Sequence, residues 1–385
     1  MLTCKRAKFS LPNQPIYLNG AYMSPLLKKV EKAGLKGLLQ KRTPYKVVPD
    51  DFFHTTQVLR SAFASLVDTP ETERIVIIPS VSYGMATVVK NLPLDRRQNI
   101  VVAGEQFPSN VYPWMRLCEK TGATLKIIQA PEVQENRGKL WNEKIIQAID
   151  QNTAAVALAP IHWADGTRFL LQEVSEKVKG VGGKLIVDGT QSVGVVPFSI
   201  REIKPDALVC AGYKWLLGPY GIGLAYFNES FDHGEPLEEN WINRKGSEDF
   251  SNLINYQNQY QPGALRYEVG EHSNFILTPM ILAAVQQINR WKPENMLAYI
   301  HSITTDGLSS LKEMGLWVED DTFRSPHLFG IRLPEKLNMN TVKEKLQAEK
   351  ISVSYRGNTI RVSPNVYNKQ EEINKLVKTF KHLLH

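Results

Sequence analysis

Two short segments of this 385-residue chain place a carboxylate and an amine where they could work together. The first is Leu185-Ile186-Val187-Asp188-Gly189-Thr190-Gln191-Ser192. An apolar run ends in an aspartate, and a polar loop follows. In open parallel sheets ligands sit beyond the carboxyl ends of the strands, so Asp188 stands at a ligand-binding position. The second segment is the apolar run Ala207-Leu208-Val209-Cys210-Ala211, which leads through Gly212 into Tyr213-Lys214-Trp215-Leu216-Leu217-Gly218-Pro219-Tyr220-Gly221. A lysine among aromatic and apolar residues is costly unless it has a partner or a covalent task. Burial lowers an ammonium pKa and makes the amine a nucleophile toward carbonyl carbon. Lys214 follows Asp188 by 26 residues, one α/β unit, so both can face one pocket.

That pair suits pyridoxal phosphate (PLP). A lysine can hold the aldehyde as an imine, and a carboxylate can keep the pyridine nitrogen protonated so that the ring accepts electrons. Asp188-Gly-Thr-Gln191 together with Tyr213-Lys214-Trp215-Leu-Leu-Gly-Pro-Tyr-Gly-Ile-Gly223 closely resembles the class V aminotransferases of PLP fold type I. This group includes cysteine desulfurases, selenocysteine lyases, kynureninases and isopenicillin N epimerase. The resemblance runs from Tyr17-Leu18-Asn19-Gly20-Ala21-Tyr22 to Tyr367-Asn368, and the first of these segments brings Ala21 and Tyr22 to the expected substrate side.

The resemblance assigns further roles. Gln191 matches a glutamine beside the cofactor's phenolic oxygen. Ser80-Val81-Ser82 opens a helix after a strand and matches the phosphate cup, since a helix N-terminus offers free N–H groups to an anion. The family often has two threonines where this chain has Val81 and Ser82. Tyr213 stands where desulfurases usually carry histidine and could donate to the phosphate. Phe107 takes the position of the residue that stacks on the pyridine ring; a phenyl face can stack but cannot move a proton. His162 and Trp163 follow the fourth apolar run and are candidates for the substrate pocket. Arg361 matches the arginine that binds the substrate carboxylate, a task for which a guanidinium fork is well shaped, with Arg356 as an alternative reader of the same anion. Arg266 to Asn274 resembles the loop that reaches the neighbouring subunit's phosphate. Gly270-Glu271-His272 replaces the usual Gly-Thr-Pro there, so that Ser273 or Asn274 would have to serve. This loop is the sequence reason to expect a homodimer.

Seven short apolar runs lie between Glu71 and Glu229: Ile75–Ile78, Ile100–Val102, Leu125–Ile128, Ala154–Leu158, Leu185–Val187, Ala207–Val209 and Ile222–Phe227. Most are separated by enough chain for a crossover helix. That alternation predicts an α/β architecture around a seven-stranded, mostly parallel sheet. Continuous apolar runs suit strands covered on both faces. Helices are expected at 25–40, 51–66, 83–92, 111–120, 172–179, 276–290 and 294–313. Beyond Pro293 the pattern becomes strand at 328–333, helix at 340–349, strands at 351–355 and 359–362, and a closing helix at 370–384. The division predicted is an N-terminal segment, 1–20, packing near the small domain; a large PLP-binding domain, 21–292; and a smaller C-terminal α+β domain, 293–385.

The composition is 43% hydrophobic and 22% charged, with a net charge of +7. No apolar run approaches the ~18 residues of a membrane span. The basic residues are scattered among acidic ones, which argues against nucleic acid as a partner. Cys4, Cys118 and Cys210 form no CxxC pair, and the eight histidines form no HxxxH pattern, so no metal site is expected. Sparse, unpaired cysteines and the lack of an apolar leader point to the cytoplasm.

The expected reaction is Cα chemistry on an amino acid or amine, with transamination ahead of C–S or kynureninase-like lyase chemistry and epimerisation. A non-catalytic binding protein on the same fold is the remaining alternative. Desulfurases of the resembled group carry a cysteine shortly before the carboxylate arginine, and this chain has none after Cys210. On that ground a cysteine-persulfide desulfurase mechanism is disfavoured at this level.

Overall fold

The computed structural model describes residues 2–335 and 337–384. Twelve strands are numbered in chain order. The large sheet holds β2 (Ile75–Ile78), β3 (Asn99–Ala103), β4 (Thr124–Ile128), β5 (Thr153–Leu158), β6 (Lys184–Asp188), β7 (Ala207–Ala211) and β8 (Gly223–Phe227). Their spatial order is β2-β8-β7-β6-β5-β3-β4. The five from β7 to β4 are parallel, and β8 runs antiparallel to both its neighbours. All seven apolar runs became strands of this one sheet.

The reason lies in the alternation of side chains along each strand. Ile75 and Ile77 enter one core while Val76 and Ile78 enter the other. Leu185 and Val187 face the first core, and Ile186 faces the second. Both faces are covered, so every position pays for apolarity, at roughly 1.5–3 kcal/mol for each large side chain fully buried. Strand β4 is the exception. It is a sheet edge, only partly buried, and Lys126 within it pairs with Asp150 at 2.7 Å, a charge that discourages pairing with another chain.

A second core lies toward the C-terminus. Strands β9 (Phe329–Arg332), β11 (Ser354–Arg356) and β12 (Thr359–Val362) form an antiparallel sheet in the order β11-β12-β9. The N-terminal strand β1 (Ile16–Tyr17) pairs in parallel with β10 (Ile351–Ser352). Ile16 and Leu18 therefore pack with Phe329, Ile331, Ile360, Val362, Leu376 and Phe380. The helix Pro293–Glu313 spans both cores: Met296, Ile300 and Ile303 belong to the large one, Leu308 and Leu311 to the small one.

One local expectation needs revision, and two features were not read. The stretch 351–355 is not one strand. Ile351 and Ser352 pair with β1, and from Ser354 the chain turns into a hairpin with β12. The pairing of β1 itself had no signal, because two residues carry no periodicity. The helix Arg137–Ala148 was also missed: its buried face is Arg137, Gly138, Trp141, Asn142 and Ile145, too polar to read as an apolar stripe.

Candidate functional site

Five strand ends converge on one cavity of about 210 Å³. Ser80, Val81 and Ser82 come from beyond β2, Phe107 from beyond β3, and Trp163 from beyond β5. Asp188, Thr190 and Gln191 follow β6, and Tyr213 and Lys214 follow β7. Strands β3 and β5 are neighbours although β4 lies outside them, so the order in which strands are added reverses there. Phe107 and Trp163 meet over this switch, edge to face, with ring centroids 5.4 Å apart. This is where open α/β sheets bind ligands.

Asp188 closes β6 and is buried. One carboxylate oxygen accepts the Thr190 backbone N–H at 3.1 Å. The Thr190 hydroxyl is itself fixed by the Ala211 N–H at 3.1 Å. Burial pushes the Asp188 carboxyl above its usual range, against the opposing pull of Thr190 and Lys214. Lys214 is 6% exposed. Its Nζ lies 5.3 Å from the Phe107 ring centre and 5.5 Å from that of Tyr213. Burial lowers the ammonium to about 8; Asp188 opposes this, and Arg361 and Arg356 add to it. Near neutrality a usable fraction of the amine is therefore uncharged.

The helix Val81–Lys90 starts at the cavity wall. Ser80 caps it by accepting the Tyr83 N–H at 3.2 Å, and its hydroxyl meets that of Ser82 at 2.9 Å. The helix can start so near the sheet because Gly84 has no side chain: a Cβ there would come within 2.7 Å of Val209. Gln191 lines the cavity, but its amide is committed elsewhere. It donates to the Ala21 carbonyl at 3.1 Å and accepts from the Trp215 indole at 2.9 Å.

These residues fit PLP. A buried carboxyl in the cavity wall suits a pyridinium N–H. A depressed amine suits an aldehyde. Phe107 offers a stacking face, and an open helix end with two hydroxyls suits a phosphate.

Arg361 lies beyond Trp163 rather than in the cavity wall. It is 1% exposed and donates to the Trp163 carbonyl at 2.9 Å and to the Ser354 hydroxyl at 3.4 Å. Among the described residues it has no acidic partner, and its Nε is buried without any partner. Burial, with the neighbouring Arg356 charge adding to it, lowers this guanidinium to about 9. An uncompensated buried charge of this kind costs several kcal/mol, which an incoming carboxylate would offset.

Other expected residues fall elsewhere. His162 is fully buried and outside the cavity wall. Its Nδ1 faces Asp165 at 3.1 Å and its Nε2 faces the Glu105 carbonyl at 3.1 Å, which leaves no nitrogen for a substrate. Ala21 is buried and contributes only backbone, through Gln191 and the Ser363 hydroxyl, while Tyr22 is exposed. Ser273 and Asn274 do not line this chain's cavity. The Asn274 side chain caps the helix Leu277–Trp291 through the Ile276 and Leu277 N–H groups.

Two supporting residues were missed. Trp215 holds Gln191. His327, fully buried at the start of the small sheet, packs edge-on against Trp215 at 4.5 Å and meets the Gln191 carbonyl at 2.7 Å. Burial lowers His327 to about 4, so the ring is neutral and its Nε2 carries the proton that the carbonyl accepts. Nothing in the local sequence marks a histidine 136 residues from its partner.

Sheet order, cavity and lysine together define a PLP-binding α/β enzyme of fold type I. The chain matches the family described as Aminotransferase class-V over residues 48–376, and it belongs to that family. It is 24% identical over 338 residues to an uncharacterized aminotransferase, YcbU, of Bacillus subtilis (strain 168), covering 87% of this chain and 85% of that one. It is 29% identical over 181 residues to a cysteine desulfurase of Enterobacter sp. (strain 638). That match covers 46% of this chain and 43% of the desulfurase, so it spans less than half of that relative. Among solved structures, the apo cysteine desulfurase from Thermococcus onnurineus NA1 superposes with a TM-score of 0.84 at 23% identity, over 100% of this chain and 99% of that one. These likenesses correct one expectation. The missing late cysteine had set the chain apart from the desulfurases, yet named cysteine desulfurases are among its relatives and share its fold.

Proposed function

We propose that the protein is a PLP-dependent transaminase of α-amino acids, working as a homodimer. The observation that carries the amino-acid part is Arg361, a buried guanidinium against Trp163 of the cavity wall, with no acid to pair with among the described residues. The named aminotransferase that matches most of the chain supports transamination.

Bound PLP supplies an electron-accepting ring that stabilises negative charge developing at the substrate Cα. The chain's own groups do the rest. Arg361 takes the α-carboxylate in its fork and so fixes which Cα bond is presented. Asp188, held by Thr190, keeps a positive charge on the pyridine nitrogen. Lys214 Nζ would take the Cα proton and hold it for return, a transfer that needs no second base. Phe107 and Trp163 narrow the entrance and exclude water. The N-terminus of the helix Val81–Lys90, with Ser80 and Ser82, anchors the phosphate.

A second reading is C–S bond cleavage of a sulfur amino acid, favoured by the relatives named cysteine desulfurase. One assay separates the two. The holoenzyme is incubated with a panel of amino acids that includes cysteine and cystine, with and without a keto-acid acceptor. The products are read for new keto acid, ammonia, sulfide and loss of optical purity. Transamination requires keto acid that appears only with an acceptor, without ammonia. Sulfide or persulfide without acceptor would replace it with the second reading.

The homodimer rests on the 266–274 loop, which in each chain would complete the partner's phosphate site through Ser273 or Asn274. Apolar Leu35, Leu38 and Leu39 on the helix Lys28–Gln40 are also exposed in the single chain. Sedimentation of the holoenzyme at micromolar concentration should give about twice the 43.6 kDa chain mass. Among the described residues no helix is long and apolar enough to cross a membrane. A cytoplasmic location belongs to the same proposal, as does the division at 1–20, 21–292 and 293–385.

A further inference from the structure

The β11–β12 hairpin carries two arginines on one face. Ser354 lies opposite Arg361, and Arg356 lies opposite Thr359. Residues two apart along a strand share a face, as do residues directly opposed across a ladder. Arg356 is therefore the diagonal neighbour of Arg361. Both guanidinia lie against the Trp163 indole, at 5.1 Å for Arg356 and 5.9 Å for Arg361. Trp163 in turn lines the cavity.

Neither arginine forms an ion pair among the described residues. Arg361 donates to the Trp163 carbonyl and the Ser354 hydroxyl, Arg356 to the Tyr355 carbonyl, and the Nε of each is buried with no partner. Two like charges side by side repel, and both lose hydration by burial. A fold that keeps such a pair without an acid gains from it only when anions arrive. One carboxylate has two oxygens, and a single guanidinium fork can occupy both. The second guanidinium calls for a second anion.

We propose that Arg356 reads a distal acidic group, so that the substrate is an α-amino acid with an anionic side chain, of the dicarboxylic kind. This rests on the amino-acid reading above and names its substrate class. The two arginines divide the work by depth. Arg361 is fully buried and takes the α-carboxylate. Arg356 is half-buried on the outer strand and takes the side-chain acid, with Trp163 holding both side chains against its ring.

The test uses two unreactive acids of equal carbon number, succinate and butyrate, titrated into the holoenzyme by calorimetry. Succinate should bind at least about tenfold more tightly than butyrate, the scale of one added charge-assisted contact. Arg356→Gln should abolish that preference and leave butyrate unchanged. Arg361→Gln should weaken both. Equal affinities in the wild type, or an Arg356→Gln loss as large for butyrate as for succinate, would overturn the proposal. The amino-acid reading would then survive, because butyrate would still depend on Arg361. Absence of binding by either acid would overturn both. In the same variants, KM for an acidic amino acid should rise with Arg356→Gln while KM for alanine stays fixed.

Discussion

At the residue scale, the chemistry depends on three charges placed where charge is expensive. Lys214 accepts its burial by titrating lower, at about 8. Below that pH the amine is mostly protonated and cannot attack an aldehyde; above it, it can. Attachment of added PLP to the cofactor-free chain should therefore speed up as pH rises through about 8. Borohydride should then fix the cofactor to the peptide containing Lys214, and a label on another peptide would reject the assignment. Asp188 is held above its usual range by burial, a cost relieved when a pyridinium pairs with it. Asp188→Ala should still bind PLP, with its visible absorbance, but lose most turnover; an unchanged kcat would give the carboxylate another task. Arg361→Ala should lower kcat/KM by about 2–5 kcal/mol equivalent for carboxylate substrates. An equal loss for the decarboxylated amine would place carboxylate recognition elsewhere.

At the scale of single elements, the helix Val81–Lys90 matters through its first turn. Ser80 both caps that turn and presents a hydroxyl beside Ser82. Replacing Ser82 alone removes a cavity hydroxyl without touching the cap. Replacing Ser80 removes the cap as well, at about 0.5–2 kcal/mol. Ser82→Ala should thus weaken PLP retention on dialysis with little change in melting temperature, whereas Ser80→Ala should lower both. If neither variant releases cofactor faster than wild type, the phosphate is held elsewhere. The loop from Ile161 to Thr167 is a second such element. His162 and the Trp163 indole both meet the Glu105 carbonyl, so the loop that carries Trp163 is tied to the one that carries Phe107.

At the scale of the whole molecule, a buried ionic cluster joins the two cores. Asp165 contacts Arg137 at 3.0 Å, His162 at 3.1 Å and Arg332 at 3.5 Å, and Arg137 also faces Glu319 at 3.5 Å. Burial would push the Asp165 carboxyl up, but His162 and Arg137 outweigh it and hold it well below the usual range. Arg137 comes from the large α/β half, while Arg332 ends β9 of the small sheet and Glu319 precedes that sheet. Removing one partner from such a cluster costs about 3–5 kcal/mol, because the others stay buried and unpaired. Asp165→Ala should show a loss of that size in denaturant unfolding. The double variant Arg137→Met, Asp165→Leu should lose less than the two single changes combined. A cost below about 1 kcal/mol for Asp165→Ala would mean water reaches the cluster.

Local order in the sequence was enough for the large sheet, because seven continuous apolar runs can satisfy their burial only as strands covered on both faces. Asp188 and Lys214 were legible as cavity residues as well, since one ends such a run, the other follows another after a short turn, and strand ends converge. Alternation along the expected strand 359–362 puts Arg361 on the face opposite Ile360 and Val362, and those two enter the small core. What it could not contain were relations set by distance along the chain. His162 sits in the right loop, but only packing decides that its ring turns inward to Asp165. Gln191 was legible as a site residue, yet its partners Trp215, Ala21 and His327 come from three separate segments. The pairing of β1 with β10 and the joint stacking of Arg356 and Arg361 on Trp163 arise only when distant segments of the chain pack together. Periodicity records which face of an element is buried; it carries no record of what that face meets.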